Sequence, residues 1–387
     1  MSVPISFALY TLVYIISTSI LLFCQKVSHG KIKFGKGCHR KHKIVYLLPL
    51  LAGIPVIMMS TFRYGIGTDF DAFYYEYQWC AKNINSYDSL MQAVKGFNDE
   101  VGLIVLIKLG DVIFHSFQGF LFLASLLTVI PVIIAFIIFD SEHTPFCFLI
   151  YLLTLFPSSF NGIHQHIAVS LSLLAIVLGY KNCYIRALML ILAAMFFHKT
   201  AFITIACLVC IKISRRYPTL KLGAIILIAC GCLIAYRYLI GMLIQIPSFS
   251  KYAYAFNEEY GYSINYLIMH LALKIPFLMI ILLFYHNILQ IDRRNMALIC
   301  YVIMDFLGVF LAFHVRWAMR LQYYTLSVAP LISVSLFKAL NRGSKKNNII
   351  IIRTILIAIY IFRFVILYGV YRYDEIIPYS FVTTLMK

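Results

Sequence analysis

The chain has 387 residues, of which 62% are hydrophobic and 12% charged, and its formal net charge is +18. Soluble globular domains carry about 25% charged residues, so this composition excludes an ordinary soluble domain. Because apolar runs long enough to cross the roughly 30 Å hydrocarbon layer recur along the chain, we predict an all-α, polytopic integral membrane protein.

The charges are unevenly distributed, and their distribution predicts the orientation of the chain. Basic residues crowd four connecting segments, 26–43, 212–216, 293–294 and 342–346. By the positive-inside rule these segments face the cytoplasm, and both termini then lie outside. Anionic membrane lipid is the expected partner of the basic excess, and no nucleic acid is required.

We predict one transmembrane domain, 1–387, with about twelve transmembrane helices and with outer loops 62–117 and 246–265. The predicted spans lie near residues 4–24, 44–61, 118–139, 146–160, 163–180, 186–213, 221–241, 266–288, 296–314, 321–340 and 349–370. The ten cysteines lie mostly inside these spans, and their spacing predicts neither a disulfide framework nor a metal site.

The first stretch that carries chemistry follows the second predicted span. There the chain leaves an apolar run for R-Y-G-I-G-T-D-F-D-A-F-Y-Y, residues 63–75. A polar cluster where a span meets water is where a membrane enzyme or transporter would bind a charged substrate. Arg63 and Asp69 are therefore candidate site residues. As an alternative, Asp69 orients Arg63 across the Gly65–Gly67 turn.

Residues 101–117 do not have the pattern of a lipid-embedded span. Lys108, Asp111 and His115 fall on one helical face, and lipid would hardly tolerate such a stripe. We therefore predict an interfacial or re-entrant helix on the outer side, beginning at Asp99 or Glu100.

Residues 186–213 allow two interpretations. If the turn at 181–186 is cytoplasmic, the segment folds as two short helices with His198 at an outer apex. If the turn is outside, it is a single helix with His198 halfway along. The first interpretation requires that 101–117 does not cross the membrane, which its charged stripe already indicates, so we favour it.

Further candidates fall at the same depth in this topology: Asn161, His164, Gln165, His166, His198, Arg316 and Arg320. Arginine suits the binding of phosphate or pyrophosphate, and neutral histidine can take a proton from a hydroxyl. Structural roles stay open for two of them. Arg316 could extend to lipid headgroups, and His166 could hydrogen-bond a neighbouring carbonyl.

Five short motifs carry a family resemblance. R-Y-G-I-G-T-D-F-x-x-F-Y at 63–74 resembles the R-Y-x-x-G-T-D-Y-x-x-Y hallmark of the EpsG family of Wzy-like polysaccharide polymerases. E-V-G at 100–102 is similar to that family's E-x-G-F element, without the aromatic residue. N-G-I-H-Q-H-I-A at 161–168 is similar to N-x-x-R-Q-x-I-A, with His164 in place of arginine. H-K-T-A at 198–201 resembles H-x-S-A, and R-L-Q-Y-Y at 320–324 resembles R-L-x-Y-Y.

The resemblance implies a glycosyltransferase of the bacterial inner membrane that polymerises O-antigen, as in lipopolysaccharide, or capsule or exopolysaccharide. Its substrates would be undecaprenyl pyrophosphate-linked oligosaccharide units at the periplasmic face. The growing chain would move from its lipid carrier onto the non-reducing end of a fresh unit. A chain-length regulator is an implied partner.

The chemistry of such a transfer assigns expected roles to these residues. Arg63 and Arg320, supported by Arg316, would hold the pyrophosphate, and His198 would be the base, with His166 or Asp69 as alternatives. The remaining expected substrate contacts are Asn161, His164, Gln165, Tyr323 and Tyr324. No cofactor is expected, because pyrophosphate is already a good leaving group. Asp69 and Asp71 nevertheless leave Mg²⁺ binding open.

Two other functions fit parts of the pattern. A lipid-linked oligosaccharide flippase also has about twelve spans and buried basic residues. A multi-spanning O-acyltransferase also places a histidine at membrane depth. A polymerase is the main expectation.

Overall fold

A computed structural model describes residues 1–28, 47–97, 100–216, 241–242, 245–246, 263–314, 319–343 and 346–382. In these ranges the regular elements are helices, and the single β contact is an isolated bridge between Arg63 and Phe381. The all-α prediction is confirmed for the described residues.

The α-helices are numbered here in chain order. The first ten are α1 Val3–Ser28, α2 Ile54–Thr61, α3 Phe70–Asn83, α4 Tyr87–Phe97, α5 Val101–Phe114, α6 Phe117–Phe139, α7 Thr144–Thr154, α8 Ile163–Tyr180, α9 Tyr184–Phe197 and α10 Ile203–Arg216. The next six are α11 Ile264–Leu283, α12 Tyr285–Ile291, α13 Asn295–His314, α14 Met319–Leu326, α15 Ala329–Gly343 and α16 Lys346–Phe364. Short 3₁₀ or π turns cover Leu48–Gly53, Pro157–Phe160, Lys199–Phe202, Val365–Val370 and Tyr373–Glu375.

Seven helices in the described ranges are long and apolar enough to cross a membrane. They are Val3–Val27, Phe117–Phe139, Ile163–Tyr180, Ile264–Leu283, Asn295–Phe313, Met319–Arg342 and Ile349–Val370. Shorter apolar helices occupy three further predicted spans, at Leu48–Thr61, Thr144–Thr154 and Tyr184–Phe197. The predicted span 221–241 lies almost wholly outside the described residues, so the count of about twelve stays a prediction.

The chain divides into two compact units. Unit 1 comprises Met1–Phe202 and Tyr360–Lys387, and unit 2 comprises Ile203–Ile359. The organisation of 1–387 as one transmembrane domain stays a prediction. The predicted outer loop 62–117 contains three helices, α3 to α5. Most of the other predicted outer loop, residues 247–262, lies outside the described part of the chain.

The helices of unit 1 run back and forth between two ends. At one end of α1, Ser6 Oγ accepts from Tyr379 N at 2.8 Å. At the other end, Gln25 Nε2 donates to Glu142 O at 2.8 Å. We call these the Ser6 end and the Gln25 end of unit 1.

Helices α6 and α8 extend between the same two ends. Phe139 packs on Tyr180 with ring centroids 5.2 Å apart, and Lys181 Nζ donates to Phe139 O at 3.2 Å, at the Gln25 end. Phe117 packs on Phe70 with centroids 5.5 Å apart at the Ser6 end. The segments that precede α3, precede α8 and follow α9 therefore gather at the Ser6 end.

Helix α5 lies across the Ser6 end. It has 14 residues and so is about 21 Å long. A Cβ on Gly102 would lie 2.7 Å from Phe196 O, and one on Gly110 would lie 2.5 Å from Phe120 Cα, so glycine lets the helix approach both α9 and α6. Both ends of α5 lie at the Ser6 end, which agrees with the prediction that residues 101–117 do not cross the membrane.

The charged face of α5 is paired with α3. Lys108 Nζ donates to Asp111 Oδ2 and to Ala81 O, each at 3.0 Å. Tyr77 OH donates to Asp111 Oδ1 at 3.4 Å. Two members of the predicted stripe, Lys108 and Asp111, therefore pack on protein in a structural role, whereas His115 is exposed.

The segment 186–213 is two helices. Helix α9 ends at Phe197 and α10 begins at Ile203, with His198 between them and the 181–183 turn at the Gln25 end. The two-helix interpretation is confirmed, and the single-helix alternative is wrong. The cytoplasmic location of the 181–186 turn stays a prediction.

Unit 2 has a buried polar centre between α11, α13 and α14. Lys274 Nζ donates to Asp305 Oδ1 at 2.7 Å and to Gln322 Oε1 at 2.8 Å. Thr325 Oγ1 donates to the same Asp305 oxygen at 3.2 Å. These side chains satisfy one another, which is the condition for burying charge inside a helical bundle.

Candidate functional site

The turn after α2 is pressed against the residues that precede α8. Gly65 and Gly67 have φ angles of 59° and 96°, a region that side chains rarely adopt. A Cβ on Gly67 would lie 2.6 Å from Asn161 Oδ1 and 3.0 Å from Phe160 O. Glycine at 67 therefore allows the first motif to contact the third.

Asp69 lies at this contact. Its backbone N–H donates to Asn161 Oδ1 at 3.4 Å, and its Oδ2 accepts from Gly162 N at 3.3 Å. Because Gly162 is the residue before α8, the carboxylate lies at the positive end of the helix dipole.

Arg63 is buried beneath this turn. Its side chain is 1% exposed, and its guanidinium lies 4.6 Å from the centre of the Phe160 ring. Nε and Nη1 have no hydrogen-bond partner within the described ranges. Burial lowers the pKa of Arg63 to about 10, while nearby Asp69 acts in the opposite direction, so the group is charged at neutral pH.

Arg63 lines a small internal cavity and does not reach the surface. The cavity has room for about one water molecule, and hydroxyls of Ser60, Ser125, Thr128 and Ser159 lie in its wall. The sequence indicated the chemistry of Arg63 but not its depth. Direct contact between Arg63 and a substrate stays a prediction.

His198 and His164 stack on each other. Their ring centroids are 5.3 Å apart and their planes differ by 16°. Phe73 of α3 meets His164 edge-on at 6.4 Å. The fourth motif therefore contacts the third, and the third contacts the first.

Thr200 fixes the tautomer of neutral His198. Its backbone N–H donates to His198 Nδ1 at 3.3 Å, and its hydroxyl lies 2.6 Å from the same nitrogen. Because a backbone N–H can only donate, Nδ1 is the unprotonated nitrogen and Nε2 carries the hydrogen. This geometry favours His198 as a hydrogen-bond donor over the base role expected from the sequence.

The second motif joins the same assembly. Glu100 Oε2 lies 3.7 Å from Lys199 Nζ, and Gly102 packs on the backbone of Phe196, two residues before His198. Glu100 Oε1 is buried and has no hydrogen-bond partner in the described part of the chain. Four of the five motifs thus meet at the Ser6 end of unit 1.

Two neighbouring candidates, Gln165 and His166, are both buried in the first turn of α8. His164, in the same turn, stacks on His198. The role of His166 as an alternative base stays a prediction.

The fifth motif belongs to unit 2. Arg320 is exposed at the start of α14, and Tyr323 is partly buried in the last turn of the same helix. Tyr324 is buried in the interior of unit 2. Arg316 lies outside the described residues. The expected contacts of these four residues with substrate stay predictions.

Asp374 is a further residue of this site, and it lies outside the sequence motifs. Asn161 Nδ2 donates to Asp374 Oδ1 at 2.9 Å, so Asn161 links Asp374 to Asp69. Burial raises the pKa of Asp374 to about 7, and the nearby Asn161 and Ser158 act in the opposite direction. The available signal was the scarcity of acids, because the whole chain has only 15.

Asp374 is held by the C-terminal segment 373–382. Tyr64 N donates to Ser380 O at 3.0 Å, and Val382 N donates to Phe62 O at 2.9 Å. Tyr379 OH donates to Met59 O. These bonds fix the segment across the end of α2, beside the first motif.

Comparisons with known proteins identify the family. Neither the curated proteins nor the solved structures that were searched include a match to this chain. The described residues contain no group of three or more His, Cys, Asp or Glu that could hold a metal ion. The family model described as the EpsG family matches residues 46–381, a range that includes all five motifs and Asp374. The chain belongs to the EpsG family.

Proposed function

We propose that this protein is a membrane polysaccharide polymerase. It transfers an undecaprenyl pyrophosphate-linked glycan chain onto the non-reducing end of a lipid-linked repeat unit at the periplasmic face of the inner membrane. The observation that carries the proposal is the meeting of four separated motifs around Asp69, Asn161, His164 and His198, in a chain that belongs to the EpsG family.

Charge distribution supports the orientation. The most basic segment, 26–43, follows the end of α1 that contains Gln25, and its charges favour the cytoplasm. Four of the five motifs lie at the opposite, Ser6 end of unit 1. They would then face the periplasm, where a lipid-linked glycan arrives laterally through the outer leaflet.

The proposed reaction is a direct displacement. The acceptor hydroxyl attacks the anomeric carbon, the bond to the pyrophosphate oxygen breaks, and the lipid pyrophosphate leaves with the electron pair. A single displacement inverts the anomeric centre. The protein must stabilise the departing anion and remove the hydroxyl proton.

Cationic side chains suit the first task. Arg63 supplies a fixed positive charge beneath the motif turn, and Arg320, with Arg316, is the proposed direct contact with the pyrophosphate oxygens. A planar guanidinium can bind two phosphate oxygens at once, which an ammonium cannot reproduce. Asp69 and Asn161 offer the carboxylate and amide groups that hydrogen-bond sugar hydroxyls.

A glycan ladder in cells tests the proposal. In a strain that lacks the gene, surface glycan should carry single repeat units, and the wild-type gene should restore the ladder. Arg63→Ala, His198→Ala and Arg320→Ala should each abolish the ladder although the protein is still inserted. Arg320→Lys should also fail. Lys95→Ala, on the exposed face of α4, is the control and should give a normal ladder.

The same experiment separates a polymerase from a flippase. Loss of a flippase would leave no repeat units on the surface, whereas loss of a polymerase leaves one per acceptor. Normal ladders from all three alanine variants would contradict the proposed site.

A further inference from the structure

The C-terminal segment brings a carboxylate to the meeting point of the first and third motifs. Asn161 uses both ends of its amide there. Its Oδ1 accepts from Asp69 N at 3.4 Å, and its Nδ2 donates to Asp374 Oδ1 at 2.9 Å. The amide is therefore locked between two carboxylates, and Asp374 is fixed to the motif although 213 positions separate it from Asn161.

The backbone around Asp374 is strained. Arg372, Asp374 and Glu375 have φ angles of 49°, 60° and 50°, in the left-handed region that non-glycine residues rarely adopt. Such conformations are energetically unfavourable for residues with a Cβ and tend to occur at functional sites. Three such conformations within four consecutive residues indicate that the position of this carboxylate is maintained at a cost in stability.

One oxygen of Asp374 has unused hydrogen-bonding capacity. Oδ1 accepts from Asn161, and the Ser158 hydroxyl lies near the carboxyl group. Oδ2 is buried and accepts no hydrogen bond of good geometry in the part of the chain that the structure describes. An unpartnered carboxylate oxygen beside a second carboxylate suits a sugar hydroxyl, which can donate its hydrogen to it. In the ground state the same contact would hold the acceptor.

We propose that Asp374 is the catalytic base of the transfer and that Asn161 is its positioning residue. The inference rests on the proposed function and deepens it. Asp374 Oδ2 takes the proton of the acceptor hydroxyl while that oxygen forms its bond to the anomeric carbon. The bond to the pyrophosphate oxygen breaks, and the leaving group takes the electron pair. Asp374 then returns the proton to water.

Two features of the site agree with this assignment. In neutral His198, Nδ1 already accepts a hydrogen bond from Thr200 and Nε2 already carries a hydrogen, so neither nitrogen is positioned to take a proton from an acceptor. Burial raises the pKa of Asp374 to about 7. This pKa is close to the working pH, where a general base is most effective.

Several groups around Asp374 influence its titration. Asp69 faces it across Asn161, and Tyr368 faces it from the turn after α16, where its phenol oxygen lies 2.8 Å from Ser158 Oγ. Arg372 and Glu375 flank it on its own segment. The charge of Asp69 raises the pKa of Asp374.

Asp374→Asn tests the base directly. Purified protein in vesicles that contain a defined lipid-linked repeat unit is assayed for polymer formation. The asparagine keeps an oxygen for Asn161 but cannot take a proton, so kcat should fall on the order of 10²–10⁴-fold while the KM for the lipid-linked donor changes little. Glu375→Gln, the neighbouring carboxylate in the same strained turn, should keep the wild-type rate.

The pH profile distinguishes a base from a structural carboxylate. The wild-type rate should fall as the pH drops below about 7, where Asp374 becomes protonated. Asp374→Glu should retain such an acid limb at a lower maximum rate. Asn161→Ala removes a hydrogen bond that favours the ionised carboxylate, so its acid limb should shift to higher pH.

The outcomes distinguish failure of the proposed function from failure of the Asp374 assignment. Wild-type protein that forms no polymer from the lipid-linked unit would overturn the proposed function. Active wild-type protein together with an equally active Asp374→Asn variant would overturn only the assignment of Asp374. A wild-type rate that is constant between pH 5 and 8 would also overturn that assignment.

Discussion

Gly67 decides how closely the first and third motifs approach each other. An alanine Cβ would overlap Asn161 Oδ1 at 2.6 Å and would also strain the φ of 96°. We expect Gly67→Ala to separate Asp69 from Asn161 and abolish the polymer ladder. Gly65→Ala is the matched control, because it has positive φ but no atom within 4 Å of the added Cβ. It should cost only about 1–2 kcal/mol and leave a ladder.

The measurement is the ladder, combined with the Tm of each purified variant. A normal ladder from Gly67→Ala would show that the close approach is not needed. Loss of the ladder in both variants with equal loss of Tm would indicate that the turn acts through stability alone.

The titration of Asp374 also predicts a dependence of stability on pH. Its pKa is raised from 3.8 to about 7 in the folded protein, so the native state binds a proton that the unfolded chain has released between these values. Stability should therefore fall as the pH rises from about 4 to 7 and stay at the lower value above 7. Asp374→Asn removes this effect.

Thermal unfolding in detergent at two pH values checks this prediction. At pH 8 the Tm of Asp374→Asn should exceed that of the wild type, and at pH 4 the two should agree. Glu375→Gln should show no comparable pH-dependent gain. An Asp374→Asn variant that is less stable than wild type at pH 8 would contradict a buried carboxylate of raised pKa.

Helix α5 packs against the last turn of α9 and so helps to position His198, which follows that helix. Gly102 lies against the last turn of α9, where an alanine Cβ would meet Phe196 O at 2.7 Å. We expect Gly102→Ala to displace this turn and shorten or abolish the ladder, although the substituted residue touches no substrate. In Gly96→Ala, in the last turn of α4, the new Cβ meets no atom within 4 Å.

The comparison of these two helix glycines separates packing from propensity. Alanine has a higher helix propensity than glycine at either position. An equal gain in Tm in Gly102→Ala and Gly96→Ala would therefore reflect helix propensity alone. A ladder lost in Gly102→Ala and kept in Gly96→Ala would confirm the contact between α5 and α9. Normal ladders in both would contradict it.

Long apolar helices could be predicted from the sequence. The predicted spans 163–180 and 118–139 correspond to Ile163–Tyr180 and Phe117–Phe139, because continuous apolar runs of this length have few other solutions. The predicted span 146–160 is shorter in the structure, since the α-helix ends at Thr154 and Pro157 begins a 3₁₀ turn. A hydropathy profile does not show where a helix breaks inside an apolar run.

The candidate site was only partly predictable. The motifs around Asp69, Asn161 and His198 could be recognised in the sequence, but their contacts, the burial of Arg63 and the blocked Nδ1 of His198 depend on tertiary packing. Asp374 lies in no motif, and its partner is distant along the chain. Its segment has no helical periodicity, so no local pattern could place it beside Asn161.

A periplasmic site at the Ser6 end requires that the Gln25 end of unit 1 face the cytoplasm. A cysteine at position 182, in the turn at that end, should react with a membrane-impermeant thiol reagent only after the inner membrane is opened. Cys183 is replaced by serine to remove background labelling. A cysteine in place of the exposed Tyr64, at the opposite end, should react in intact spheroplasts.

Labelling of both positions from the outside would contradict the placement of the two ends of unit 1 on opposite sides of the membrane. Labelling of position 182 alone from the outside would show that the protein has the opposite orientation, with the motifs on the cytoplasmic side. Either result would exclude a periplasmic polymerase site at the Ser6 end.

The central claim is that this protein joins lipid-linked repeat units to one another, and reconstitution tests it most directly. Purified protein is placed in vesicles whose only glycan is the lipid-linked repeat unit, and both glycan length and free lipid pyrophosphate are measured. The account predicts a ladder of lengths, one lipid pyrophosphate released for each new linkage, and neither product with Arg320→Ala. Movement of the intact repeat unit between leaflets without any ladder would contradict it.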